Sequence, residues 1–347
     1  MPPKIFITGV TGYIGGDVLY ALNETHPEYE YTVMVRGSEK GTMVAAAYPK
    51  ARLVYGNLEN AALLEEESAK ADIVIDTADS SDHLGAAKAI SKGLAAGHTG
   101  EKPGYWLHLS GTGVLCWKDR DTNTYGEPPS QPEYDDLDKV SDLTSLPDTA
   151  WHRGVDKLVL AASSDVVKTA IICPPAIYGR GRGPDNQRSI QVYLLTETTL
   201  KQGQAPQFGR GLSEWGNVHI HDLSNLYTLF VDAIIANKSE LDTELFGPKG
   251  YFLVENGHHV WGEVSKQVAE EGYKQGFIKT KEVIQITLDG ARELGVAALT
   301  WGLNSKGHAK RARKYLGWNP RKRLKDEIPD IVASEAVRLG LKIRYRL

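Results

Sequence analysis

Phe6-Ile-Thr-Gly-Val-Thr-Gly-Tyr-Ile-Gly15 decides the reading of this chain. An apolar run, Ile5 to Ile7, breaks at Gly9, and Gly12 and Gly15 follow at three-residue steps. Beyond them Val18, Leu19 and Leu22 recur at helical spacing. The pattern predicts a strand, a glycine turn and a helix. Gly9 allows a tight turn, Gly12 lets backbone approach a pyrophosphate, and Gly15 lets the helix lie close to the strand. The helix N-terminus then offers free N–H groups and a positive dipole end to an anion. Gly9, Thr11, Gly12, Tyr13, Ile14 and Gly15 are therefore the candidate phosphate cradle of a dinucleotide site.

The next apolar run, Tyr31 to Val35, ends at Arg36-Gly37-Ser38, with Arg36 lying 21 positions past Gly15. There a dinucleotide fold meets the adenosine ribose, and an acidic residue would bond the 2′-hydroxyl of NAD. Arg36 instead offers a permanent planar charge suited to the 2′-phosphate of NADP, with Ser38 and Lys40 in support. A charge-assisted bond predicts a preference of about 10- to 100-fold. Further strands are expected over 52–55, 72–76, 105–109 and 166–173, alternating with helices over 61–69, 82–96 and 151–162. That alternation predicts an α/β fold with a doubly wound parallel sheet and ligands at the carboxyl ends of its strands. Asn57, Leu58, Thr77 and Ala78 stand at such ends and join the expected cofactor contacts.

The chain has 347 residues, 41% hydrophobic and 24% charged, with net charge −4. It is long enough for one large domain or two small ones. No bulk field recruits nucleic acid or an anionic membrane, and no apolar run approaches the ~20 residues that span a bilayer. Met1-Pro-Pro-Lys4 runs directly into the first strand, which leaves no room for a signal peptide. Cys116 and Cys173 sit in apolar strand-like contexts and read as buried thiols of a reduced, cytoplasmic protein. Residues 117–150, rich in Asp, Glu and Pro, predict a long loop, either a lid or a solvated insertion. Asp222 is expected to cap a helix running to Val231. His219 and His221 share a strand face without a third ligand at a convincing spacing, so no metal is expected. Lys306 to Lys325 holds nine basic residues and no acidic one, and reads as a solvated face.

Thr8-Gly-Val-Thr-Gly-Tyr-Ile-Gly15, Leu109-Ser-Gly-Thr112, Pro174 to Gly179, Val218-His-Ile-His-Asp222 and Leu316-Gly-Trp-Asn-Pro320 together resemble the extended short-chain dehydrogenase/reductase superfamily, including its nucleoside-diphosphate-sugar epimerase-like members. The resemblance covers nearly the whole chain. It implies a Rossmann dinucleotide domain over 1–178, rejoined by 213–245, and a smaller α/β substrate region over 179–212 and 246–325. It adds Pro174 and Ile177 as cofactor-binding positions, and Thr112 as the residue that holds a substrate carbonyl. It places Lys157 on the nicotinamide ribose. The family's tyrosine, four residues before that lysine, is absent. Arg153 stands there and cannot serve as a proton donor, though it could stabilise an oxyanion. His152, next to it, titrates in the right range but would point about 100° away around a helix. Tyr125, Tyr134 and Tyr178 have no spacing argument behind them.

These residues predict an atypical NADP(H)-dependent oxidoreductase for a small carbonyl, enol or imine. A redox-sensing regulator of the NmrA type, and a non-redox isomerase or lyase, remain open alternatives. The resemblance also allows a homodimer through the helices near 82–96 and 151–165, whose Ala and Gly content permits close packing; a monomer is equally allowed.

Overall fold

The computed structural model describes residues 2–237 and 241–342; the 213–245 stretch expected to rejoin the first domain includes three residues outside them. Seven strands form the central sheet: β1 (Lys4–Ile7), β2 (Glu30–Val35), β3 (Arg52–Tyr55), β4 (Ile73–Asp76), β5 (Gly104–Leu109), β6 (Val167–Cys173) and β7 (Tyr251–Leu253). Their order is β7-β6-β5-β4-β1-β2-β3, and every pair is parallel. Burial on both faces explains the near-continuous apolar strands, such as Ile5, Phe6 and Ile7 against Ile73, Val74 and Ile75. The chain winds outward from β1 through β2 to β3, then returns to place β4 on the other side of β1. The crevice at that reversal is where an open α/β sheet binds ligands.

Helices cover both faces: α1 (Tyr13–Thr25), α2 (Ser38–Ala47), α3 (Ala61–Lys70), α4 (Leu84–Gly97), α5 (Arg153–Ala162) and α6 (Ile220–Ile235). The glycines of α4 serve contacts within the chain. A Cβ on Gly93 would stand 2.2 Å from the carbonyl oxygen of Glu65 on α3.

A second core gathers Trp215, Trp261, Trp301, Phe208, Val268 and Ile331. Its small sheet pairs Glu214–His219 with Ala176–Tyr178 in parallel and with His258–Val260 in antiparallel fashion. Two sequence readings change here. β7 belongs to the central sheet, not to the 246–325 substrate region: three residues are too short to show a period, yet Tyr251, Phe252 and Leu253 extend the sheet beyond β6. Residues 117–150 are neither a free lid nor a solvated insertion. Tyr134–Asp135 pairs with Gly307–His308. The wholly buried Asp136 carboxylate accepts from the backbone N–H of Leu253 at 3.0 Å, Lys310 at 2.7 Å and Arg311 at 2.9 Å. The segment is a strap joining β7 to the chain around Lys310.

Candidate active site

The turn after β1 has the backbone that its sequence requires. Gly9 lies at φ +80°, and a Cβ there would stand 2.6 Å from Thr77 Oγ1. A Cβ on Gly15 would stand 2.4 Å from the Gly9 carbonyl oxygen. No side chain caps α1, so its first N–H groups are left for a ligand. Thr8 Oγ1 donates to Asp76 Oδ1 at 2.8 Å and accepts from the N–H of Thr77 and Ala78. That knot ties the loop after β4 to the glycine turn.

Gly9, Thr11, Gly12, Arg36, Asn57, Leu58, Thr77 and Ala78 share one cleft of about 660 Å³. At its far end Arg36 is exposed, while Lys40 is paired with Asp185. Tyr13, Ile14, Gly15, Ser38 and Ile177 do not line the cleft. Tyr13 donates its hydroxyl to the Gly179 carbonyl at 2.7 Å, Ser38 opens α2, and the Ile177 carbonyl accepts from Ser189. The tight glycine turn and the uncapped helix suit the pyrophosphate of a nicotinamide dinucleotide.

Asp79 and His83 border this cleft, and Asp82 borders a second one of about 430 Å³. Gly111, Thr112, Gly113, Trp151, His152, Pro174 and Trp215 are among its walls. Thr112 is fixed through its backbone: its N–H donates to the Pro174 carbonyl at 3.0 Å, and its carbonyl accepts from Ser305 Oγ at 2.7 Å. Its own hydroxyl is buried without a partner among the described residues.

Arg153 and Lys157 are not in this cleft. Arg153 is buried and donates Nε to the Leu146 carbonyl at 3.0 Å and Nη2 to the Thr144 carbonyl at 2.6 Å. It holds the strap against α5. Lys157 is half exposed and paired with Asp148 at 2.8 Å. The residue of this stretch that does line the cleft is His152, one position before Arg153. Helical geometry misplaced His152 because the helix starts only at Arg153. His152 lies just outside it at φ +65°, a left-handed conformation uncommon outside glycine. That backbone turns its ring toward the loop after β5. A Cβ on Gly113 would be 3.1 Å, and one on Gly111 3.5 Å, from His152 Nε2. Its Nδ1 meets Asp82 Oδ1 at 2.9 Å, and this hydrogen bond holds the Asp82 carboxyl below the usual carboxylate range.

Beneath the cleft lies a buried polar group that sequence reasoning missed. Asp156 is wholly buried and accepts from the Tyr251 hydroxyl at 2.7 Å; burial pushes its carboxyl up. His108 on β5, also wholly buried, has no hydrogen-bond partner at either nitrogen among the described residues and lies 3.4 Å from Asp76 Oδ2. For His108 and Tyr251, polar residues inside strands that are apolar on both faces were the available signal.

The remaining sequence features are structural. His219 caps α6 by accepting at Nδ1 from the N–H of His221 at 3.0 Å. Asp222 is not the cap and instead accepts from the N–H groups of Arg321 and Lys322. In the basic stretch, Lys306, Lys310, Arg311 and Arg313 pair with Glu133, Asp135, Glu244 and Glu255.

The sheet order, glycine turn and crevice define a Rossmann-type dinucleotide-binding protein. A family model for the semialdehyde dehydrogenase NAD-binding domain matches residues 4–98. Oxidase ucsJ of an Acremonium species is 36% identical over 356 aligned positions, spanning 98% of this chain and 100% of its own. Among solved structures, dTDP-glucose 4,6-dehydratase of Bacillus anthracis, in complex with NAD, superposes with a TM-score of 0.66 at 14% identity over 97% of each chain. UDP-glucose 4-epimerase of Thermotoga maritima does so at 0.63 and 14% identity over 98% of this chain and 100% of its own. The chain belongs to the same family as oxidase ucsJ, its fold is that of these dehydratase and epimerase structures, and its scaffold is like that of NAD(P)-dependent oxidoreductases.

Proposed function

We propose that this protein is an NADP(H)-dependent oxidoreductase acting on a small, uncharged carbonyl, enol or imine compound. The observation that carries the reading is a pair of neighbouring clefts, with the Arg36 guanidinium at one end and the partnerless Thr112 hydroxyl at the other. The glycine turn and α1 would hold the pyrophosphate, and Arg36 the 2′-phosphate. Bound there, the nicotinamide supplies or accepts a hydride. Thr112 would hold the substrate oxygen, because its hydroxyl is buried with nothing else to bond.

The substrate class follows from the walls of the second cleft. Trp151, Trp215, Pro174, Pro175 and Val296 are apolar. Among the described residues, Asp82 and His152 are its only ionisable ones, and no lysine or arginine lines it. A diphosphate would meet a carboxylate without a cation to balance it, so a neutral compound with an apolar body fits better.

Fluorescence titration with NADPH and NADH side by side tests the cofactor. NADPH is expected to bind about tenfold or more tightly than NADH, and Arg36→Asp to abolish that preference. Equal affinities in the wild-type protein would remove the NADP assignment. Failure to bind either nucleotide would remove the oxidoreductase reading.

A further inference from the structure

We propose that His152 is the acid–base catalyst of this site, giving a proton to the substrate oxygen in reduction and taking it back in oxidation. The proposal rests on the cofactor and substrate reading above. Four observations carry it. His152 lines the Thr112 cleft, whereas no tyrosine among the described residues does. Tyr178 is buried and donates to the Lys322 carbonyl, Tyr134 accepts from Trp117, and Tyr125 stacks on Phe208. His152 Nε2 faces the Gly111–Gly113 backbone that flanks the Thr112 hydroxyl. The ring is aimed there by a left-handed backbone at φ +65°, strain that a surface helix cap does not need. Asp82 takes the other ring nitrogen at 2.9 Å, which fixes the ring's orientation and leaves Nε2 for the cleft.

The chemistry balances. In reduction, a bound NADPH would supply the hydride for the new C–H bond at the carbonyl carbon. The π pair of the C=O bond moves to oxygen and forms an O–H bond with the proton that leaves His152 Nε2. The carbonyl would thus be reduced to an alcohol at the expense of the nicotinamide, which would be oxidised. Imidazole regains its proton from solvent, to which the side chain is 20% exposed. The charged or titratable groups around it are Asp82 on the loop after β4 and, one turn along α5, Asp156, itself held by Tyr251. Thr112 orients the oxygen, and Asp82 is a positioning residue.

Two readouts test this, one of them independent of both cofactor and turnover. Asparagine tolerates the left-handed backbone, so His152→Asn is expected to fold and to bind NADPH within about twofold of wild type. With NADPH and benzaldehyde or acetophenone as probes, its turnover is expected to fall by about 10²–10⁴-fold, and added imidazole to restore part of it. Separately, imidazole NMR signals of the nucleotide-free protein, assigned by their loss in His152→Asn, are expected to move at Nε2 when acetophenone is added. Asp82→Asn is expected to change the pattern of those signals by releasing the ring. Turnover by His152→Asn within about threefold of wild type would overturn the proposal, as would an Nε2 signal indifferent to acetophenone. Failure of the wild-type protein to bind NADPH would instead count against the cofactor reading, and the Nε2 signal would still decide the role of His152.

Discussion

Replacing Arg153 with leucine removes donors from two carbonyl oxygens, those of Leu146 and Thr144, in a buried setting. Orphaned buried acceptors cost about 1–3 kcal/mol. Arg153→Leu is therefore expected to lower the melting temperature while leaving NADPH affinity unchanged. Lys157→Ala breaks only an exposed pair with Asp148, and such solvent-screened pairs contribute little to stability. Thermal denaturation and nucleotide titration of both variants check this; loss of NADPH affinity in Lys157→Ala would return that lysine to the site. Residue identity alone could not separate Arg153 from His152. The choice depends on where the helix begins, and a one-residue shift in that start rotates every side chain by about 100°. The resemblance singled out Thr112, but its missing hydrogen-bond partner is a tertiary fact.

At the scale of elements, α1 is tied to the turn after Tyr178 through Asp17. This carboxylate is wholly buried and bonded to the N–H, Nε and Nη2 of Arg182 and to Ser224 on α6. Burial alone would raise its pKa, but the Arg182 and Ser224 hydrogen bonds outweigh that and leave it below the usual range. Arg182→Leu strands a buried charge and is expected to cost about 3–5 kcal/mol of stability, read by denaturant unfolding. The pair's contribution in the wild-type protein is present above the unfolded carboxyl pKa of about 3.9 and lost as pH falls below it. An Arg182→Leu protein as stable as wild type would show that the contact is incidental. The elements that could be read from sequence were β1 to β6 and the helices α1, α3, α4 and α5. β7 and the strap around Asp136 could not be read, because three-residue pairing and buried polar contacts leave no periodic trace.

For the whole molecule, acid sensitivity follows from His219, which is 2% exposed at the joint between the second core and α6. Burial, then the neighbouring His221, pushes its pKa down to about 3. It is neutral in the folded protein, whereas an unfolded histidine takes up a proton near pH 6.5. The unfolded state thus binds more protons between those values. Stability from this residue is full above about pH 6.5 and declines as pH falls, by at most about 1.4 kcal/mol per pH unit. Urea midpoints measured at pH 7.5 and 5.5 are expected to drop on acidification, and less so in His219→Gln; equal drops would place the sensitivity elsewhere. The sheet and dinucleotide crevice were legible because every βα unit repeats the same pattern. The second cleft was not, since it is assembled from Thr112, His152, Pro174, Trp215 and Thr300, which lie far apart in the chain.

In the function proposed above, this crevice transfers hydride to a neutral carbonyl. The direct measurement is incubation with NADPH deuterated at C4 on either face, together with benzaldehyde and acetophenone, and mass spectrometry of the products. One deuterium is expected in the alcohol from one of the two labelled cofactors, with matching loss of NADPH. Tight NADPH binding with no label transferred to either probe would contradict it and favour a cofactor-sensing regulator. An altered but unlabelled product would contradict it in favour of a non-redox isomerase or lyase.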